Sequence, residues 1–280
     1  MEIEYPKRSL KELLNFSIIN VDKPAGPTSF QVVEKIAKML GVKKASHFGT
    51  LDPMVTGVLP VALGKAVRLT GYFMGHDKEY IGTAHLHSDI ELEKIKKTIK
   101  EKFLGTIVQL PPVRSRVRRE ERKRQITKFE ILEKEEKDIL YHVECQAGTY
   151  IRKLIHDLGK ELGTGANMTE LRRIRAGIFS EENSVTLYEI SKIIEEKEEN
   201  KLKEILHPVE IISKVLACAV IRPERKFHII NGIPIKKSDI IKADKIKIGE
   251  EYAVYCDNFL IGIFERTEKN FGKAKTVFKE

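Results

Sequence analysis

The chain has 280 residues, enough for one large domain or for a large domain and a smaller one. Its 41% hydrophobic and 32% charged residues, mixed in sign, indicate a globular protein, and no stretch approaches the roughly 18 apolar residues of a bilayer span, which excludes a membrane protein. The 50 Lys and Arg against 41 Asp and Glu give a net charge of +9, which favours contact with a polyanion.

Apolar spacing and capping residues predict two helices and a strand in the first part of the chain. The segment TSFQVVEKIAKMLG has apolar residues at helical spacing and begins with Thr28 or Ser29, either of which can cap the first turn. Residues 80–87 alternate as a strand does. Ser88 or Asp89 can then cap a second amphipathic helix, which a glycine closes.

The middle of the chain predicts a β-hairpin followed by helices. The runs ITKFEIL from Ile126 and ILYHVECQ from Ile139 are β-like and are separated by the charged turn EKEEKD. Helical patterns then dominate from Thr149 to Ile205. Because strands and helices follow in a mixed order, we expect an α+β fold with a mixed, largely antiparallel central sheet flanked by helices.

A change of composition predicts a domain boundary near residue 205. The solvated segment EEKEENKLKE, residues 195–204, divides a larger domain, 1–205, from a smaller one, 206–280. The second part consists of short apolar runs separated by Gly, Pro and Asp-Asn turns. This pattern is typical of a small β-barrel.

The segment HFGTLDPMVTG, residues 47–57, is the first candidate for a reactive site. Asp52 precedes a proline, which favours an extended backbone, and two glycines bracket the carboxylate on a constrained loop. Considered alone, an Asp-Pro pair in such a loop is more often a turn residue. His47, considered alone, more often packs or forms a hydrogen bond than reacts.

The segment AGTYIRKLIHDLGKELG, residues 147–163, predicts a helix with a buried apolar face and with Arg152 in its first turns. A cation there lies at the positive end of the helix dipole, which is unfavourable. An anionic partner, a carboxylate or a phosphate, would remove the conflict.

Three more segments carry side chains of interest. Tyr80 opens a strand in DKEYIG, where a tyrosine is ordinarily a core residue, and the arginines of MTELRRIRAG would ordinarily form a solvated face. The segment PPVRSRVRREERKRQI has only two acidic residues, and its density of cations is typical of a loop that contacts phosphates. Its basic residues are Arg114, Arg116, Arg118, Arg119, Arg122, Lys123 and Arg124.

Metal and disulfide chemistry have little support in the sequence. Cys145, Cys218 and Cys256 are far apart and form no CxxC pair, so we expect buried thiols. His85 and His87 share one strand face but lack a third ligand, so we expect no metal site. The N-terminal segment has no apolar targeting region, so we expect a cytoplasmic protein.

In this order, the segments resemble the motifs of the TruB family of RNA pseudouridine synthases, and the resemblance covers essentially the whole chain. DKPAGPTS is similar to the family's Lys-Pro segment, HFGTLDP to its catalytic loop, DKEY to its stacking-tyrosine motif, GTYIR to its arginine motif and LRR to its late arginine-containing helix. LPPVRSRVRR and HPVE resemble the archaeal and eukaryal, dyskerin-like branch, which supplies the catalytic subunit of H/ACA guide RNA particles. The C-terminal part resembles that branch's PUA domain, a small RNA-binding β-barrel.

The resemblance implies isomerisation of uridine to pseudouridine in RNA. The bond from ribose to nitrogen breaks and the uracil rejoins through carbon 5, which requires neither a metal nor a redox cofactor. We predict that Asp52 is the nucleophile, oriented by Arg152, with attack on the sugar or on the ring left open. Tyr80 would stack on a uridine flipped out of the RNA. By resemblance, four further residues line or support the substrate-binding pocket: His47, Lys23, Tyr150 and Leu171.

The resemblance also implies partners. A guide RNA would select the substrate RNA by base pairing, the basic segment would grip phosphates, and the C-terminal barrel would bind RNA by its shape and 2′-hydroxyl groups. Three small proteins would complete the particle: a zinc-ribbon-like peptide, a β-barrel partner and a kink-turn binder.

Three other functions stay open. The first is a stand-alone tRNA pseudouridine synthase that modifies the T-loop without a guide. The second is a non-catalytic RNA-binding scaffold, which would not need Asp52, Arg152 and Tyr80 together. The third is a glycoside hydrolase, which requires a second carboxylate about 5 to 9.5 Å from the first, and none of these motifs provides one.

Overall fold

The structure, a computed structural model, describes residues 1–111 and 118–279 of the chain. In these residues eleven strands form a large sheet. They are β1 (Phe16–Lys23), β2 (Ala45–His47), β3 (Thr56–Gly64), β4 (Lys78–Leu86), β5 (Gly105–Gln109), β6 (Arg122–Glu135), β7 (Asp138–Cys145), β8 (Ala166–Ala176), β9 (Phe179–Ser180), β10 (Val185–Thr186) and β11 (Leu206–Pro208).

The large sheet consists mainly of antiparallel neighbours. Its strand order is β10-β1-β3-β8-β4-β7-β6-β5, with β11 beside β1, β2 beside β3 and β9 beside β8. Among the described strands, the parallel pairs of this sheet are β1 with β10 and β3 with β8. The predicted α+β fold with a mixed, largely antiparallel central sheet is therefore confirmed.

Helices pack their apolar faces against the sheet, except the last one, which packs against the second sheet described below. They are α1 (Leu10–Asn15), α2 (Ser29–Met39), α3 (Thr70–Met74), α4 (Leu92–Lys102), α5 (Ile151–Glu161), α6 (Leu187–Glu195), α7 (Glu199–Glu204) and α8 (Lys226–Ile230). Helix α2 begins at the predicted cap, where Thr28 and Gln31 each accept a hydrogen bond from the other's backbone N–H. No helix in the described parts of the chain is long and apolar enough to cross a membrane.

The predicted caps of the second helix are wrong. Helix α4 begins at Leu92, after Glu91, whose side chain forms no capping hydrogen bond. Asp89 instead accepts from Lys134 Nζ at 2.6 Å, so its carboxylate is used by a neighbouring strand. The predicted hairpin is confirmed, as β6 and β7 pair around a two-residue turn in which Glu136 has a φ of 48°.

The expectation of helices from Thr149 to Ile205 is wrong in its centre. Residues 166–176, which include the supposed late arginine-containing helix, form β8 between β3 and β4. Leu171 and Arg173 of this strand are buried while Arg172 between them is half-buried, which is the two-residue period of a strand. An interior strand rich in arginine is stable here because neighbouring strands provide hydrogen-bond acceptors.

A second, five-stranded sheet follows. Its strands are β12 (Cys218–Ile221), β13 (Ile240–Ala243), β14 (Glu251–Cys256), β15 (Phe259–Glu265) and β16 (Lys273–Val277), in the order β13-β12-β14-β15-β16. This sheet is consistent with a PUA-like domain. A division at residue 205 stays a prediction: β11, just beyond it, pairs with β1 of the large sheet, and one apolar cluster joins Phe16 and Phe48 to Tyr255 and Ile263.

Candidate active site

The loop between β2 and β3 exposes Asp52 to solvent. The Asp52 side chain is 52% exposed, and Arg152 Nη2 donates a hydrogen bond to its Oδ2 at 2.6 Å. Arg152 is the second residue of α5, near the positive end of that helix. The anionic partner that the sequence required at this helix start is therefore Asp52.

Lys23 holds this loop from the inside of the protein. It is the last residue of β1 and is fully buried. Its Nζ donates to the backbone carbonyl oxygens of Pro24, Pro53 and Val55 at 2.7, 2.8 and 2.9 Å. Burial lowers the pKa of Lys23, while the charge of Asp52 opposes that shift. Lys23 supports the loop, and its burial keeps it from direct contact with a substrate.

Ser29 is a second anchor, which the sequence indicated only as a possible helix cap. The buried Ser29 Oγ accepts from the Leu51 N–H at 2.8 Å and donates to the Leu51 carbonyl at 3.0 Å. These two bonds fix the backbone next to Asp52. Its position in the DKPAGPTS segment is the signal that could have identified it.

Tyr80 lies in β4 with only 8% of the residue exposed. Burial raises the pKa of its phenol, and the charge of the neighbouring Arg173 acts in the opposite direction. Leu171, in the adjacent β8, is likewise buried. The two side chains belong to the core below the site, so only a small part of the tyrosine ring is accessible to a substrate.

His47 and Tyr150 border the site from two sides. His47 ends β2, and its Nδ1 accepts from the Gly49 N–H at 3.3 Å. Burial, reinforced by the charge of Arg173, lowers the pKa of His47, which favours a neutral imidazole. Tyr150 precedes α5, where its backbone forms two hydrogen bonds with the buried side chain of Gln109.

The arginines of β8 do not form the solvated face that their sequence indicates. Arg172 donates to both carboxylate oxygens of Asp22 at 2.9 Å, and Arg175 donates to Glu79 at 2.8 Å. Arg173 is buried beneath the Asp52 loop. Each of the three is fixed by a partner on another part of the fold.

Comparison with known proteins identifies the family. Sequence models match the TruB family pseudouridylate synthase N-terminal domain at residues 37–151, the tRNA pseudouridylate synthase B C-terminal domain at 152–213 and the DKCLD domain at 5–33. Over 279 residues the chain is 43% identical to "Probable tRNA pseudouridine synthase B" of Methanopyrus kandleri, which covers 98% of this chain and 80% of that protein. The chain belongs to the TruB family.

Solved structures of this family have the same fold along nearly the whole chain. The crystal structure of a Cbf5-Nop10-Gar1 complex matches with a TM-score of 0.88 and 38% identity, over 99% of this chain and 89% of that one. The structure of an H/ACA RNP bound to a substrate RNA containing 2′-deoxyuridine matches with a TM-score of 0.88 and 35% identity, over 99% and 90%. This TruB-family protein is thus an RNA pseudouridine synthase of the TruB/Cbf5 type.

The basic segment of this TruB-family enzyme is described in part. Arg114 and Arg116 lie outside the described residues. The other five predicted phosphate-binding side chains are exposed or half-buried: Arg118, Arg119, Arg122, Lys123 and Arg124. A Cβ placed on Gly148 would lie 3.1 Å from Arg124 Nη2, so this guanidinium borders the turn that leads into α5 and Arg152.

The remaining histidines and cysteines have ordinary structural surroundings. His85 Nδ1 forms a hydrogen bond with Asp138 at 2.8 Å, and His87 Nε2 with an asparagine at 3.1 Å. The three cysteines are free and buried, as expected, and burial raises the pKa of Cys145 to about 12.

Proposed function

We propose that Asp52 is the nucleophile with which this enzyme isomerises uridine in RNA. The observation that carries the proposal is the exposed Asp52 carboxylate, paired with Arg152 at 2.6 Å on a loop whose backbone Lys23 holds from inside. Covalent catalysis requires a nucleophile that is accessible and held in place. Here Arg152 holds the carboxylate oxygen and Lys23 holds the backbone of the loop. Attack at the sugar or at the ring leads to cleavage of the bond between ribose and N1. The uracil then turns, its carbon 5 bonds to the anomeric carbon and N1 takes up a proton. The product forms when the bond to Asp52 breaks and carbon 5 loses its proton.

Side chains around Asp52 have roles in binding the flipped uridine. The accessible part of the Tyr80 ring would contact the uracil, with Leu171 behind it and Tyr150 at the start of α5. His47, neutral because its pKa is lowered, offers a hydrogen-bonding group without added charge. Flipping a base costs a few kcal/mol, which phosphate contacts along Arg118 to Arg124 would offset.

The test is the variant Asp52→Asn, with Asp157→Asn as its matched control. Asp157 is on α5 and pairs with Lys153, so its replacement also removes a carboxylate that contacts a cation. We expect Asp52→Asn to lower the isomerisation rate by about 10³-fold or more while RNA affinity stays nearly constant, and the control to stay active. A rate near wild type in Asp52→Asn would exclude this residue as the nucleophile. Lack of isomerisation by the wild-type chain with every RNA offered would favour the scaffold function.

We further propose that the enzyme acts as the catalytic subunit of an H/ACA guide RNA particle. Support comes from the structures it matches, one a Cbf5-Nop10-Gar1 complex and another an H/ACA RNP with substrate RNA. In this proposal residues 1–205 carry the chemistry, residues 206–280 bind RNA as a PUA domain, and small accessory proteins complete the assembly.

A stand-alone tRNA enzyme is the second candidate, because curated relatives are named tRNA pseudouridine synthase B. The purified chain is offered a bare T-loop transcript, and then a guide–substrate pair together with its partner proteins. The guided function predicts a large gain in rate from the guide and the partners. Efficient turnover of the bare transcript, with no gain from the guide, would contradict it and favour the stand-alone function.

A further inference from the structure

Arg173 is a fully buried guanidinium without a carboxylate partner. It lies in the central strand β8, and only 1% of the residue is exposed. Two other arginines of the same strand, Arg172 and Arg175, form ion pairs with acidic residues. In contrast, no carboxylate of residues 1–111 or 118–279 lies within 4 Å of the Arg173 nitrogens. A buried cation is costly, so the surroundings must supply other acceptors.

Those acceptors lie on either side of Asp52, one in the loop that carries it and one in β3, just after that loop. Arg173 Nε donates to the Val58 carbonyl oxygen at 2.8 Å, and Nη2 donates to the Gly49 carbonyl oxygen at 3.1 Å. Asp52 lies between these two points in the sequence. One planar guanidinium therefore ties the entry and the exit of the loop to the same strand.

The backbone is arranged to allow this contact. Gly57 pairs with Arg173 where β3 runs beside β8, and a Cβ on Gly57 would lie 2.2 Å from the Arg173 carbonyl oxygen. Gly57 has a φ of +98° and Gly49 a φ of +119°, values that a residue with a side chain rarely adopts. The close approach of β3 to the Arg173 backbone requires the missing Cβ of Gly57, whereas Gly49 is required only for its backbone conformation.

Arg173 also has Tyr80 as its neighbour across the sheet. Tyr80 is the residue opposite Arg173 in the β4–β8 pair, and the charge of Arg173 acts against the rise that burial causes in the pKa of the Tyr80 phenol. Arg173 thus connects the strand that carries the stacking ring to the loop that carries the carboxylate. Two further titratable groups in this region, His47 and Lys78, have lowered pKa values, through burial first and the charge of Arg173 second.

We propose that Arg173 is a positioning residue of the isomerisation, which sets the distance and orientation between the Asp52 carboxylate and the Tyr80 ring. The inference rests on the proposed roles of Asp52 and Tyr80. Arg173 does not touch the reacting atoms: it acts through two carbonyl oxygens and through its place opposite Tyr80. A displacement of about 1 Å in a reacting group can cost about 100-fold in rate, so the loss of this link affects the chemical step.

The experiment compares Arg173→Lys and Arg173→Gln with Arg175→Lys, a control two residues along the same strand. A lysine ammonium or a glutamine amide cannot span both carbonyl oxygens as a guanidinium does. Circular dichroism and thermal unfolding check the fold, RNA affinity is measured directly, and single-turnover rates are measured at saturating RNA. We expect both Arg173 variants to lose about 10- to 100-fold in rate with less than a threefold change in RNA affinity, and the control to stay near wild type.

A second measurement tests the route through Tyr80. If Arg173 acts partly through its neighbour Tyr80, the losses in Tyr80→Phe and Arg173→Lys will add to more than the loss in the double variant. The proposal would be overturned if folded Arg173 variants reacted within threefold of the wild-type rate, or if Arg175→Lys lost as much rate as they do. Additive losses of rate in the double-variant comparison, or failure of both Arg173 variants to fold, would also overturn it. Activity in Asp52→Asn would instead refute the proposed nucleophile, so the two failures are distinguishable.

Discussion

Replacing Lys23 with methionine tests whether a buried ammonium holds the Asp52 loop. Methionine keeps the length and the apolar stem but removes the three hydrogen bonds to the carbonyl oxygens of Pro24, Pro53 and Val55. The Pro53 oxygen keeps a second donor, the Gly26 N–H at 2.9 Å, so the loss falls on the carbonyl oxygens of Pro24 and Val55.

The magnitude follows mainly from the Val55 carbonyl group, since Val55 is buried whereas Pro24 is exposed and water can replace its donor. A buried acceptor without a partner costs about 1–3 kcal/mol, and the variant no longer has to bury an ammonium, which offsets part of this loss. We therefore expect a loss of about 1–2 kcal/mol of unfolding free energy, a fall in Tm of roughly 2–8 °C for a chain of this size. Since the freed backbone carries Asp52, the isomerisation rate should fall more than the folded fraction does.

The assay is thermal unfolding combined with single-turnover kinetics at a temperature where the variant is folded. Lys35→Met is the matched control, because Lys35 is an exposed lysine that lines the groove beside Lys23. The control should melt and react as the wild type does. A Lys23→Met variant as stable and active as wild type would contradict this expectation. The cost of burying the ammonium would then equal the stabilisation that its three hydrogen bonds contribute.

Three further perturbations test the packing around the site and between the two sheets. Gly57→Ala should lower stability by at least about 2 kcal/mol, because its Cβ meets backbone at 2.2 Å, and Gly26→Ala, which has open space at a similar φ, should lose less. Arg8→Met should cost about 3–5 kcal/mol, measured by denaturant unfolding, because it leaves the fully buried Glu210 without its cation. Burial lowers the pKa of Lys78 from 10.5 to about 8, so between these pH values the unfolded chain binds more protons than the folded one. The unfolding free energy of the wild type, relative to that of Lys78→Met, should therefore rise by up to about 3 kcal/mol from pH 8 to 10.5.

Each of these expectations has a result that contradicts it. Equal stability of the two glycine variants would show that the close approach of β3 to β8 is not rigid. An Arg8→Met variant as stable as wild type would show that the buried Glu210 does not require Arg8 as its partner. A stability difference between wild type and Lys78→Met that is constant from pH 8 to 10.5 would show that the Lys78 ammonium is not destabilised by burial.

Local pattern was sufficient for much of the fold and for the exposed half of the site. Helix α2, with its cap at Thr28, and the β6–β7 hairpin follow from periodicity and turn residues within a short window. The exposed loop of Asp52 follows from its proline and glycines. Arg152 lies at the positive end of a helix dipole, which predicts the anionic partner that Asp52 provides. The strand β8 was missed because its arginines imitate a solvated helix when their partners are unknown.

Three features could be predicted from the sequence: the α+β class, the order of the motifs and the candidate pair Asp52 and Arg152. They depend on residues close in the chain or on motif order. The contacts of Lys23 and Arg173 became known only from the folded structure. Their acceptors are carbonyl oxygens as many as 32 and 124 residues away in the chain. Residue type predicts that lysine and arginine are exposed, and only the folded backbone, by presenting several carbonyl oxygens at one point, makes their burial beneath the Asp52 loop stable.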